Sequence, residues 1–317
     1  MTTLGKVLLI ILIIILIAGI GIGGFYFKKS SKKGSQGSGQ KSSVSQDPNG
    51  PYYHQIYSAT SKDGLNWKKQ NKVLFDHASV PGAVIKDNII YLYFVDASGN
   101  SAQLSVAISK DLGKTFKKQE AKVEGTESPV DPSPDLLENG QIRLYYFTSP
   151  VSGNDPAKAE GKHQIYSADS EDGITFKNPQ LAYEDDNLTD PDVFKTTNDW
   201  RLFVSRGTNL DLAISSDGLS FTKQVDFSWN KGAISDTFNF AGTFRTYYCG
   251  QGGIGSATGA DSGKLTPEAG VRIQEQNKVV CDPSIIQLPD GSYLMFYKTM
   301  DVSQIQTNQP NQTSPTN

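Results

Sequence analysis

Three Asp-Pro pairs open three similar segments of the chain, and they are the first residues to consider for chemistry. Asp131 begins DPSPDLLENGQIRLYYFTS, Asp190 begins DPDVFKTTNDWRLFVSRG, and Asp282 begins DPSIIQLPDGSYLMFYKT. If the fold gathers these carboxylates, their repulsion raises the pKa of some of them, which suits paired acid and base work. A structural alternative stays open: proline tolerates the first position of a strand, and the aspartate before it then acts only as a cap.

Further polar residues accompany these segments. Two weaker copies of the pattern start at Val80 and Ser235; the first has Val80-Pro81 in place of Asp-Pro, and the second offers Asp236. Polar residues also end the second strand of three copies, and two glutamates precede inner strands: Asp96, Arg206 and Lys298, then Glu127 and Glu184. We expect the substrate-binding residues to include Arg206, Asp236, Asp96, Glu127 and Glu184.

A second repeat alternates with the first. HQIYSA occurs at positions 54–59 and again at 163–168, and each copy runs into a Ser-x-Asp turn that ends in an aromatic residue. Four such turns are clear, SKDGLNW, SKDLGKTF, SEDGITF and SSDGLSF, and GIGSATGADSGKLT is a degraded fifth. In both series the pattern of two strands around a tight polar turn predicts a β-hairpin.

Five hairpins of each kind, alternating about every 50 residues, predict a four-stranded unit repeated five times. The fold class is therefore all-β, a five-bladed β-propeller. The chain begins with an outer pair of strands (52–75) and ends with an inner pair (281–299), so these halves should complete one blade and close the ring. The inner strands then converge on one axis, and the Asp-Pro pairs meet at the mouth of a central funnel.

The Ser-x-Asp turns are expected to shape the fold. The aspartate can accept backbone N–H groups of its own turn, and glycine supplies the positive φ. Ligand or calcium binding at each turn is the weaker interpretation, because a structural role explains all copies at once. The segment from Ser109 to Phe116 fits the Asp-box of sialidase-type propellers.

Over residues 52–299 the sequence resembles the arabinanase, levansucrase and invertase superfamily of five-bladed glycosidases, mostly as a fold pattern. That resemblance implies cleavage or transfer of glycosides by an Asp, a Glu and a helper Asp in the funnel. Asp282, in CDPSII, best matches the base or nucleophile, and Asp131 or Asp190 the helper. The chain departs from the pattern at the general acid, because it has no Glu-Gly-Pro-like segment. A sialidase likeness would need three arginines around a carboxylate, and no Arg-Ile-Pro opening precedes the first turn.

Two hypotheses of function follow. The protein is a membrane-anchored, glycoside hydrolase-like propeller that acts on or binds carbohydrate at the funnel, or it is a surface-displayed propeller that only binds carbohydrate or protein. The three histidines show no metal-ligand spacing, so neither a metal nor a cofactor is expected. A net charge of −3 gives no reason to expect nucleic acid as a partner, and we expect a monomer.

The termini have a different character. Residues 1–27 include the apolar run 7–27, whose length suits a transmembrane helix better than the shorter apolar region of a cleaved signal peptide. Residues 28–50 form a Lys/Gly/Ser linker and residues 301–317 a disordered tail, which leaves 51–300 for the propeller. The lysines after the apolar run favour a cytoplasmic domain, whereas the short N-terminal flank and the domain type favour an extracytoplasmic one, which we expect.

Cys249 and Cys281 are predicted to lie at the same face of neighbouring blades. A disulfide is geometrically possible there and would support an extracytoplasmic location. Two buried free thiols are an equal alternative.

Overall fold

Five sheets, each with four antiparallel main strands, contain the strands of the described residues. The computed structural model describes residues 50–126, 129–148, 162–186, 188–206 and 209–303. In chain order the strands are β1 (His54–Ser61), β2 (Trp67–Lys69), β3 (Phe75–Asp76), β4 (Ala78–Lys86), β5 (Ile89–Asp96), β6 (Gln103–Ser109), β7 (Lys117–Glu120), β8 (Lys122–Val123), β9 (Val130–Leu136), β10 (Ile142–Thr148), β11 (His163–Ser170), β12 (Thr175–Asp185), β13 (Thr189–Lys195), β14 (Trp200–Arg206), β15 (Asn209–Ser215), β16 (Thr222–Ser228), β17 (Ala233–Phe240), β18 (Thr243–Gly250), β19 (Gly253–Thr258), β20 (Thr266–Pro267), β21 (Lys278–Gln287) and β22 (Tyr293–Asp301).

The sheets are the blades of a closed ring. Blade 1 is β4–β7, blade 2 is β9–β12 with β8 at its edge, blade 3 is β13–β16, and blade 4 is β17–β20. Blade 5 joins β21 and β22 to β1, β2 and the short β3. The inner strands β4, β9, β13, β17 and β21 contact one another in turn, and β21 contacts β4. The prediction of a five-bladed propeller is confirmed.

Blade 5 closes the ring by pairing the two ends of the described chain. β1 pairs antiparallel with β22 from His54 opposite Met300 to Ser61 opposite Tyr293. His163 likewise begins β11, the third strand of blade 2, so the repeated hexapeptide occupies equivalent third strands of two blades.

The core lies between the blades and not at the axis. Buried apolar side chains form five clusters, one at each boundary between neighbouring blades. Burial of apolar surface at these boundaries supplies most of the driving force for closing the ring.

In three blades a tyrosine of the second strand bonds a Ser-x-Asp turn of the next blade. The hydroxyls of Tyr93, Tyr145 and Tyr247 donate to the carbonyls of Gly173, Gly218 and Gly64, at 2.8, 2.7 and 2.6 Å. Blades 3 and 5 have Phe203 and Phe296 at this position. The turn next to Phe203 is the degraded copy GIGSATGADSGKLT in blade 4, and the turn next to Phe296 is SKDLGKTF in blade 1, which is one residue longer than the others. Tyrosine therefore occurs where the next turn presents its Asp-Gly carbonyl.

The turns themselves are organised by their Ser and Asp side chains. In the first turn Asp63 Oδ1 accepts the N–H groups of Leu65 and Asn66 at 2.9 and 2.8 Å, and Ser61 Oγ accepts that of Gly64 at 2.9 Å. These bonds within the turn hold the pKa of Asp63 well below its ordinary value.

Within the part of the chain that the structure describes, no helix is both long enough and apolar enough for a membrane crossing. The predicted anchor and most of the linker (1–49), together with residues 304–317 of the predicted tail, lie outside the described residues.

Candidate active site at the mouth of the propeller

A β-bulge interrupts the inner strand of every blade at an equivalent point. In blade 5, for example, the register of β21 against β22 shifts between Cys281 and Ser284. A bulge bends the strand and redirects a side chain. At four of the bulges a residue other than glycine has positive φ: Val80 (+47°), Asp131 (+50°), Asp190 (+52°) and Asp282 (+48°).

The backbone conformation of these bulges is imposed by the fold and does not require an aspartate. Positive φ is disfavoured for residues with a side chain, by roughly 1–2 kcal/mol. Val80 adopts it without any polar atom that could compensate locally, so the surrounding blade must impose it. The sequence then determines which side chain each bulge presents at the axis.

An axial pocket of about 30 Å³, roughly the space of one water molecule, lies where the bulges meet. Its lining comprises residues of all five inner strands: Val80, Pro81, Asp131, Pro132, Asp190, Pro191, Ser235 and Asp282. The fold therefore brings the three Asp-Pro aspartates together at one mouth, as the repeat predicts.

The three carboxyl groups lie in different electrostatic surroundings. Burial, and then the nearby Asp282, raise the pKa of Asp131 to about 7, although Lys298 opposes the rise. Burial followed by Asp131 and Asp282 raises the pKa of Asp190 well above its ordinary value. Asp282 instead forms an ion pair with Lys298, with Nζ and Oδ2 2.5 Å apart.

Asp131 and Asp190 each keep an oxygen without a hydrogen-bond partner in the described structure. Asp131 accepts the backbone N–H of Asp190, but its Oδ2 and that of Asp190 are buried and unpaired. Strand caps would be expected to satisfy their own oxygens, so capping alone does not account for these side chains.

A larger mouth cavity of about 210 Å³ extends from the axial pocket towards blade 5. Its walls include the three aspartates, Lys298, the Cys249–Cys281 disulfide, the glycines between 250 and 253, and residues of the closing strands. This volume is below the roughly 300–1,000 Å³ typical of drug-sized ligands. The cavity therefore suits a ligand smaller than these, or one part of a larger ligand.

Glu275 is the glutamate that lines the mouth cavity among the described residues. Its Oε2 lies 2.8 Å from Nζ of Lys69, and its Oε1 accepts the hydroxyl of Tyr297 at 3.3 Å. Both oxygens of its carboxylate are therefore engaged by these partners. Glu127, which the sequence suggested near this mouth, lies outside the described residues.

Asp236 does not line either cavity, although it was expected at the mouth. The bulge of blade 4 presents Ser235 there, and Asp236 points into the boundary with blade 5, where its Oδ2 accepts the N–H of Ile285 at 2.7 Å. Burial and then Asp192 raise its pKa well above the ordinary value. Asp192 makes the corresponding link from blade 3 to Thr237 of blade 4, at 3.1 Å to the backbone nitrogen.

The side chains of the remaining predicted residues are paired away from the axis, with partners outside the mouth. Asp96 is paired with Lys118 of β7 at 2.6 Å, because its side chain turns outwards along its own blade. Arg206 bonds Asp211 of β15 at 2.7 Å, so the guanidinium is held by the carboxylates of the outer strands. Glu184 of β12 is paired with Lys162 at 3.1 Å. None of these three lines either cavity.

The sequence predicted two features of the mouth only in part. Lys298, in β22, was an expected neighbour of the funnel, but its pairing with Asp282 depends on the bulge. The disulfide, with Cα atoms 4.8 Å apart, forms a wall of the cavity beside Asp282, and the alternative of two free thiols is excluded.

No protein-family model and no curated protein sequence matches this chain. Solved structures do. A thermostable family-43 glycoside hydrolase superposes with a TM-score of 0.56 at 14% identity, over 71% of this chain and 89% of that one. A family 117 glycoside hydrolase from the marine bacterium Zobellia galactanivorans gives 0.50 at 13% identity, over 79% and 91%.

An endo-1,4-beta-xylanase from Bacteroides thetaiotaomicron gives a TM-score of 0.52 at 14% identity, over 69% of this chain and 87% of that chain. At these identities the likeness establishes a shared architecture only. What the chain has in common with these glycoside hydrolases is the five-bladed β-propeller fold.

Proposed function

We propose that this propeller acts on a glycoside held in the mouth cavity, with Asp282 and a protonated aspartate as the two reacting carboxyl groups. The observation that supports the proposal is the difference in environment among three gathered aspartates. Glycoside hydrolysis requires one carboxyl group that is protonated and one that is ionised. Environments that push two such pKa values apart mark acid and base assignments.

Asp190 is the proposed general acid, since burial and two neighbouring carboxyl groups favour its protonated form. It would donate its proton to the glycosidic oxygen as the bond to the anomeric carbon breaks. Asp282, paired with Lys298, would either remove a proton from the attacking water or attack the anomeric carbon itself. Asp131 lies with them in the axial pocket and would help to keep Asp190 protonated.

The decisive experiment is a turnover screen of the full chain against aryl glycosides of arabinose, xylose, fructose, mannose and sialic acid. Turnover should fall by about 100-fold or more in Asp282→Asn, as expected for loss of a reacting group. Asp290→Asn, in the exposed turn between β21 and β22, is the matched control and should retain activity. Equal activity of both variants would exclude the proposed role of Asp282.

A second candidate function is carbohydrate binding without catalysis. It is favoured by one observation: the glutamate of the described cavity wall, Glu275, is engaged by Lys69 and Tyr297. Absence of turnover on the whole panel, together with glycan binding that Asp282→Asn weakens, would establish this alternative.

We also propose that residues 7–27 anchor the propeller to a membrane with its mouth outside the cytoplasm. The length of the apolar run supports the anchor, and the disulfide supports an oxidising compartment. Protease treatment of intact cells should remove the propeller domain. Protection of the domain until the cells are lysed would contradict this orientation.

A further inference from the structure

The Cys249–Cys281 disulfide lies next to both members of the Asp282–Lys298 ion pair at the mouth. Cys281 directly precedes Asp282 in β21, and it pairs across the sheet with Lys298 of β22. Cys249 is contributed by β18 of the neighbouring blade. The covalent bond thus fixes the Asp282–Lys298 pair relative to blade 4.

The sulfur of Cys249 also contacts Asp282 directly. It accepts the backbone N–H of Asp282 at 3.2 Å and lies 3.5 Å from Oδ1 of the carboxylate. The bulge does not need this support, since Val80, Asp131 and Asp190 adopt the same backbone conformation without a disulfide. The disulfide instead fixes the orientation of the Asp282 carboxylate.

The disulfide lies at the boundary between blades 4 and 5, where the pattern of aspartates around the mouth is interrupted. Blade 4 presents the small Ser235 there instead of an aspartate, and the mouth cavity passes along the glycines between 250 and 253. Both cysteines are buried but line that cavity, so the cavity is the route by which a small reductant would approach the sulfurs.

We propose that the Cys249–Cys281 disulfide is a positioning element for Asp282, and that its reduction inactivates the site while the propeller stays folded. The proposal rests on the function proposed above. Reduction by a small dithiol transfers two electrons and two protons to the disulfide: the S–S bond breaks, two thiols form, and the dithiol becomes a cyclic disulfide. The two thiols cannot remain at bonding distance, so at least one sulfur moves relative to Asp282.

The test compares the oxidised full chain with the same protein after dithiol reduction, at a temperature where circular dichroism shows both forms folded. A displaced carboxylate should lower kcat by about tenfold to 100-fold with KM changed by less than about threefold. In ¹³C NMR the titration midpoint of the Asp131 carboxyl, which senses Asp282, should move by about half a pH unit or more.

Two controls separate positioning from simple cross-linking. The paired substitution Cys249→Val with Cys281→Val keeps apolar packing and should reproduce both changes. If reduction lowers only the melting temperature and leaves the midpoint and kcat unchanged, the disulfide is a structural cross-link and the proposal fails. It also fails if both the reduced protein and the valine variant lose their fold.

The two readouts also separate this proposal from the proposed function. An oxidised protein without turnover or glycan binding would refute the function proposed above. The NMR midpoint would still decide whether the disulfide positions Asp282, since that measurement needs no substrate.

Discussion

Asp282 and Asp131 come from inner strands of different blades, 151 positions apart in the chain, yet each lines the same axial pocket and Asp282 raises the pKa of Asp131. Lys298, at 2.5 Å from Asp282, acts on Asp131 in the opposite direction. Burial is the largest cause of the raised pKa of Asp131, and the balance of these two charges adjusts how far it rises.

Asp282→Asn should therefore lower the pKa of Asp131. The substitution removes the carboxylate that raises the pKa of Asp131 and leaves Lys298, which lowers it. We expect the midpoint to fall from about 7 by about one pH unit, measured by ¹³C NMR of the aspartate carboxyls. Asp290→Asn, in the exposed turn, should leave it unchanged, and an unchanged midpoint in Asp282→Asn would contradict the coupling.

The five-bladed architecture was predictable because each repeat is defined by interactions between residues that are close in the sequence. Each Ser-x-Asp-Gly turn forms its bonds within a few residues, and each Asp-Pro pair marks the bulge of an inner strand. Such signals survive in the sequence without knowledge of the neighbouring blade. The convergence of Asp131, Asp190 and Asp282 then follows from the five-fold arrangement.

The placement of Asp96, Arg206 and Asp236 was not predictable, because it depends on which way a side chain turns at the end of a strand. The partner of Asp96 is Lys118 two strands away, and Arg206 is held by Asp211 of the next strand. In blade 4 the register of the bulge decides that Ser235 and not Asp236 reaches the axis. A shift of one residue reverses the direction of a side chain, and sequence spacing does not resolve it.

Asp192→Asn should make the protein less sensitive to alkaline pH. Burial raises the pKa of Asp192 to about 6, so the folded state favours the protonated carboxyl. Its contribution to stability is complete below about pH 4, the pKa of unfolded aspartate, and is lost as the pH rises through about 6. The asparagine oxygen can still accept the backbone N–H of Thr237, its NH2 group can donate to the Thr237 hydroxyl oxygen, and the side chain carries no charge.

Relative to the native chain, the variant should thus gain about 3 kcal/mol in free energy of unfolding between pH 4 and pH 8, since the pKa rises by about two units and each unit corresponds to about 1.4 kcal/mol. Urea unfolding at a series of pH values measures this. Asp217→Asn is the control with the opposite sign, because turn hydrogen bonds lower the pKa of Asp217. A parallel response of both variants would contradict the assignment.

Tyr145→Phe should destabilise the boundary between blades 2 and 3. The hydroxyl of Tyr145 donates to the Gly218 carbonyl at 2.7 Å in a buried position, and its removal leaves that carbonyl unpaired. We expect a loss of about 1–3 kcal/mol in free energy of unfolding. Tyr166→Phe removes a hydroxyl whose bond to Gln164 is only partly buried, so it should cost less than half as much. Equal losses would show that the link between blades contributes nothing specific.

Gly173→Ala should be far more damaging than Gly140→Ala, although both glycines have positive φ. A Cβ at position 173 would lie 2.6 Å from the ring of Tyr91 in the neighbouring blade, whereas at position 140 nothing lies within 4 Å. Both variants incur backbone strain of about 1 kcal/mol or somewhat more, and only Gly173→Ala adds overpacking of about 1–3 kcal/mol. Urea denaturation of the two variants isolates the difference, because the strained backbone is common to both. Equal losses of stability in the two variants would contradict this prediction. They would show that the Tyr91 side chain can move to make room for the added methyl group at little cost.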